Sequence, residues 1–198
     1  MHTSAMSQYE DMERESPEFN KMQILKRRFF AMRNGLLADQ MRRAGSPFRI
    51  IFGLNVIQLK EIASDYGHDA AMAAKLWANT TTRESMLLAP MLWSSEDFTA
   101  DELVALCGES PHSEVSDMLC HRLLRSRHDA PAIADKLASS ELPLMRYTAL
   151  RLALALLGNG IEADRAAALA DKELAAGEPL TRSLAMMLKD SAQFLLEE

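Results

Sequence analysis

Between short breaks, apolar residues recur every three or four positions, the spacing of one helix face. Glycine and proline fall at the breaks: Gly45 with Pro47, Gly67, Gly108 with Pro111, Pro131, Pro143, Gly158 with Gly160, and Gly177 with Pro179. The residues between them are rich in Ala, Leu, Met, Glu and Arg, which are good helix formers. Valine and isoleucine are few and no segment alternates strictly, so strands are not expected. The pattern predicts ten or eleven helices, near 18–33, 34–44, 54–66, 69–78, 82–93, 99–108, 112–126, 130–139, 142–157, 161–176 and 178–196. Thr81 or Thr82 ahead of Glu84, and Thr99 ahead of Glu102, have the spacing of helix N-caps, and Ser46-Pro47 suits a turn. The connections are short, so consecutive helices should be antiparallel neighbours.

A loose repeat runs through these helices. RESMLLAPMLW (83–93), VSDMLCHRLLRS (115–126), MRYTALRLALALL (145–157) and TRSLAMMLKDSAQFLL (181–196) each open polar and close in Leu and Met. Their starts are 32, 30 and 36 residues apart, and each follows another, usually more polar, helix. That spacing fits paired-helix units stacked into a curved solenoid, whose concave side is a natural binding surface. The segment LMRYTALRLALALL is apolar almost all round and belongs in the middle of the stack.

Composition adds mostly exclusions. With 198 residues, 48% hydrophobic and 25% charged, the chain is long enough for one domain with its own core. No run approaches the length of a membrane span. The polar, acidic start (MHTSAMSQYEDMERES) does not read as a secretory signal. Cys107 and Cys120 make no disulfide framework and suit a reducing cytoplasm. The His and Cys residues between 107 and 128 lack zinc spacings, and no P-loop or dinucleotide glycine pattern occurs, so neither metal nor cofactor is expected. The 13 methionines are read mostly as core filling.

The net charge of −6 argues against a strong non-specific nucleic-acid binder, but it is unevenly placed. Residues 1–20 hold five acids against Arg14 and are read as an acidic tail ahead of a single domain, 21–198. Without that tail and the last two residues, acids and bases balance at 21 each. Residues 21–49 carry Lys21, Lys26, Arg27, Arg28, Arg33, Arg42, Arg43 and Arg49 against Asp39 alone. This is either a solvated helix surface or a face that meets phosphate.

Several landmarks, in order, resemble one family. They are FGLNVIQLKEIAS (52–64), AAKLWANTTTRESMLLAPML (73–92), SEVSDMLCHRLL (113–124), LPLMRYTALRLALALL (142–157) and TRSLAMMLKDSAQFL (181–195). Together they resemble the DNA alkylation repair family of AlkC/AlkD-type, HEAT-like proteins. The resemblance implies an all-α, curved superhelical solenoid of antiparallel HEAT-like helix pairs holding duplex DNA. It also implies excision of positively charged alkylated purines. Asp117 would then be the catalytic aspartate, stabilising the oxocarbenium-like sugar as the base leaves. Arg146 would be the arginine that holds the phosphate backbone. Arg122, Arg125, Arg127, Arg182 and Lys189 are further cations for DNA. Two positions depart from the family pattern: Ser113 and Met186 stand where it has tryptophans, which would face a cationic lesion. Trp77 and Trp93 read as packing and do not replace them.

The residues themselves leave alternatives open. Asp117 lies beside the core stripe of its helix, in an open site or on a solvated face. An Asp117–Arg146 pair could simply tie two repeats together. The expected partner is double-stranded DNA and the expected state a cytoplasmic monomer away from membranes. A scaffold that binds a protein in its concavity is the alternative, favoured by the acidic pI and the missing tryptophans.

Overall fold

The computed structural model describes residues 17–197; the acidic segment before Pro17 lies outside them. Eleven α-helices occupy the described chain: α1 (Pro17–Ala31), α2 (Gly35–Arg43), α3 (Val56–Tyr66), α4 (Ala70–Trp77), α5 (Arg83–Leu92), α6 (Ala100–Gly108), α7 (Ser113–Leu119), α8 (Ala130–Ala138), α9 (Pro143–Leu156), α10 (Ala163–Ala176) and α11 (Pro179–Leu196). A short 3₁₀ turn, Ser95–Asp97, follows α5, and α7 runs on as a π-helical turn, Cys120–Leu124. Apart from two isolated bridges, Ile50 with Thr82 and Leu157 with Ile161, the described residues form no extended pairing.

The helices pack in alternation. α3, α5, α7, α9 and α11 follow one another as packing neighbours, while α4 lies against α5, α8 against α9, and α10 against α11. α9 also touches α6 and α10, which explains a helix apolar nearly all round: Ala149, Leu150, Leu152, Ala153 and Leu156 are buried among its neighbours. This order is compatible with stacked helix pairs.

One connection is built differently from its sequence signal. Thr99 and Glu102 form the expected reciprocal cap of α6. Thr82 makes no side-chain cap at α5; its hydroxyl donates instead to Asn79 Oδ1 at 3.4 Å, and Glu84 turns inward. Its carboxylate is fully buried and accepts hydrogen bonds from the backbone N–H groups of Phe52 (3.0 Å), Gly53 (2.9 Å) and Leu54 (3.3 Å). Arg83, also buried, donates to Glu84 (3.0 Å) and to the Leu54 carbonyl (2.9 Å), and its other edge holds Glu114 of α7. A buried carboxylate is tolerable when its oxygens are satisfied in this way. Gly53 is required at the same place: its φ is +78°, and a Cβ there would lie 2.2 Å from the Asn34 carbonyl oxygen. The network fixes the start of α3 against α5 and α7.

Candidate functional site

A pocket of about 430 Å³ opens between α3, α7 and α9. Its polar groups are Glu114, Asp117, His121, Arg125 and Arg151; Val56, Met118 and Leu154 supply apolar wall. The π turn sets part of this geometry. Asp117, His121 and Arg125 follow one another at intervals of four, and with the π turn between Cys120 and Leu124 all three line the pocket. Glu114 is held by Arg83, which anchors the pocket wall to the buried network.

Asp117 is half-buried. The Tyr147 hydroxyl donates to its Oδ1 at 3.1 Å, and Arg151 Nε approaches the same oxygen at 3.1 Å. Tyr147 and Arg151 are four apart on α9, hence on one face. No described residue donates a hydrogen bond to Oδ2. Burial raises the Asp117 carboxyl above its ordinary value, while Arg151 and the Tyr147 hydroxyl pull the other way. Burial, reinforced by Asp117, pushes the Tyr147 hydroxyl up to about 12, so it remains a donor. His121 is shifted down, first by burial and then by Arg125, Lys60, Arg122 and Arg151. It is therefore neutral near pH 7.

The structure separates the residues that the sequence grouped. Asp117 lines the pocket. Arg146 does not meet it: its guanidinium is held by the buried Glu173 (3.1 Å) and by the carbonyls of Ser140 (3.1 Å) and Glu141 (2.8 Å). The arginine beside Asp117 is Arg151, the sole charge in 147–157. Arg127 is likewise engaged, by Asp129 and by the carbonyls of Ser95 and Phe98. Lys189 pairs with Asp171 at 2.7 Å, while Arg182 is exposed on α11. Arg122 is exposed and faces a neighbouring depression. Ser113 opens α7 and Met186 is exposed on α11; neither borders the pocket. Trp77 is buried, donates to Glu109 (2.7 Å) and packs on Trp93, which in turn meets Phe98 edge-on. Of the basic segment, Lys21, Arg28 and Arg42 pair with Asp69, with Asp65 and Glu61, and with Asp39 respectively.

Cys107 and Cys120 are buried thiols, each pushed up to about 12 by desolvation, and so are inert. No cluster of three or more His, Cys, Asp and Glu side chains suited to a metal occurs among the described residues. No helix among them is long and apolar enough to cross a membrane.

The fold and site thus define an all-helical protein with a carboxylate in a pocket edged by arginines. Residues 25–194 match the family described as DNA alkylation repair enzyme, and the chain belongs to that family. No curated protein and no solved structure matches it.

Proposed function

We propose that the protein binds alkylated duplex DNA along a curved stack of HEAT-like helix pairs and hydrolyses the N-glycosidic bond of a cationic N-alkylpurine in the Asp117 pocket. The observation that carries this reading is the Asp117 carboxylate, held at Oδ1 by Tyr147 and Arg151, with no hydrogen bond to its other oxygen from the described residues. When the C1′–N bond breaks, the electron pair moves to the base and quenches its positive charge, and positive charge develops on the sugar. An ionised carboxylate beside C1′ stabilises that charge. Water then adds to C1′ and loses a proton, completing hydrolysis. Arg151 favours the ionised carboxylate and holds it in place. Arg146, engaged by Glu173, steadies α9 against α10 in this reading; the phosphate-facing cations are those left without carboxylate partners.

Without a tryptophan in the pocket, the lesion's charge is met by Asp117 and Glu114, with Met118 and Leu154 as apolar wall. The experiment is single-turnover release of methylated purines from duplex DNA by the parent protein and by Asp117→Asn. A second reading has its own observation. Leu180, Met187 and Phe194 lie seven apart and exposed on α11, as a protein-binding stripe would. Binding to duplex DNA that responds to salt separates the two.

A further inference from the structure

α11 packs on α9 and α10 through one side, where Thr181, Leu184, Ala185, Leu188 and Ala192 are buried. Its other side carries Leu180, Met186, Met187 and Phe194, which remain 40–63% exposed. We propose that this face is covered by the same face of a second copy of the chain, with the two α11 helices antiparallel about a two-fold axis between Met186 and Met187. The protein is then a dimer in place of the monomer expected from its sequence. None of these residues borders the Asp117 pocket, and the pairing is independent of the DNA reading.

The apolar positions match themselves under that axis. Leu180, Met187 and Phe194 recur at seven-residue intervals, the spacing of a helix–helix seam, and run along about 21 Å of helix. Turning the helix end for end sets Leu180 level with Gln193 and Phe194 of the second copy, and Met186 against Met187. A contact of this kind needs one patch that is complementary to itself.

Charge sets the direction. Arg182 lies one turn before Met186 and Asp190 one turn after it, so the three share a face. Both charged residues are exposed, and neither forms an ion pair with a described residue. Lys189, the other cation of the helix, is turned to Asp171 on α10. Antiparallel pairing brings Arg182 of each copy level with Asp190 of the other, so the contact forms twice. Parallel pairing would set Arg182 against Arg182 and Asp190 against Asp190, which repel. Glu197 would lie near the N-terminus of the opposing helix, where a carboxylate is favoured. The charged pair is centred on position 186 and the apolar set on position 187, so one axis serves both; this shared centre favours a second copy over an unrelated partner. A seam of this length buries on the order of 1,000 Å² in total, the lower edge of a specific interface, so the expected Kd is micromolar.

The test is sedimentation velocity on the full chain from about 1 µM to a few hundred µM, a range that brackets a micromolar Kd. The parent should pass from monomer to dimer. Met187→Glu places two carboxylates at the axis and should stay monomeric throughout. Asp190→Arg sets like charges together at both contacts and should raise Kd by about ten-fold, and adding Arg182→Asp to it should restore most of the parent Kd. These substitutions sit at exposed positions, and an unchanged melting temperature confirms that the fold is kept. A parent that is monomeric at every concentration overturns the pairing and leaves the stripe to a different protein. Association that Met187→Glu leaves intact also overturns it, since the contact then lies elsewhere. Association that is lost in Met187→Glu but indifferent to the charge exchange overturns the antiparallel register.

Discussion

Replacing Glu84 with alanine removes the acceptor for three backbone N–H groups and one edge of Arg83. Gly53 and Leu54 are buried, so their amides cannot turn to bulk water. Each buried donor left unpaired costs about 1–3 kcal/mol. Breaking a buried charge pair from one side costs about 3–5 kcal/mol. These figures overlap, because the same carboxylate makes every bond, and the expected loss is about 3–5 kcal/mol. Against a typical stability of about 5–15 kcal/mol, that is a large share. With a urea dependence near 2 kcal/mol/M, the unfolding midpoint should fall by about 2 M. Glu114→Gln is the matched control. Its side chain is 35% exposed and Arg83 keeps Glu84, so the loss should stay near about 1 kcal/mol. Urea unfolding followed by circular dichroism reads both variants. A Glu84→Ala loss below about 1 kcal/mol would refute the reasoning, since water or a neighbour would then be satisfying those amides.

Further outcomes follow from other sites. Gly53→Ala should be strongly destabilising by the same urea measurement, because a Cβ would press on the Asn34 carbonyl at a positive φ. Arg146→Met should cost about 3 kcal/mol through the orphaned Glu173. It should leave the salt slope of DNA binding unchanged, whereas a phosphate clamp would lower the slope. The raised Asp117 carboxyl implies that excision falls off, as pH drops, at a higher pH than for an ordinary aspartate. Tyr147→Phe removes a bond to the ionised form and should move that acid limb further up. A carboxyl whose pKa rises on folding loses stability as pH climbs through the ordinary and then the raised value. Asp117→Asn should therefore melt no lower than the parent at neutral pH. Phosphate brought near His121 offsets the neighbouring cations, so DNA should raise its pKa in NMR titration; no shift would count against phosphates at Arg122 and Arg125.

The helices were legible because apolar spacing and Gly/Pro breaks act locally: each of the eleven segments is a helix within two residues or so at either end. The π turn was not, since its signal is a register change within CHRLL and not a residue type. Asp117 was singled out through the family resemblance alone, and only the packing shows that it lines a pocket. Its partner was misplaced because Arg146 and Arg151 sit on one helix five residues apart, which turns them to different faces. Only the packing of α10 shows that Glu173 claims Arg146. Thr81 or Thr82 ahead of Glu84 has the spacing of a cap, and sequence cannot show that the Phe52–Leu54 amides, thirty residues away, take that carboxylate.

The most direct test of the account is release of methylated purines from duplex DNA under single-turnover conditions, with the parent protein and Asp117→Asn compared at matched binding. The account predicts release by the parent and a loss of at least about a hundred-fold in the variant, which still binds the duplex with the parent salt slope. Equal release by both, or binding by the parent without any release, would contradict the assignment of Asp117 as the group that carries the reaction.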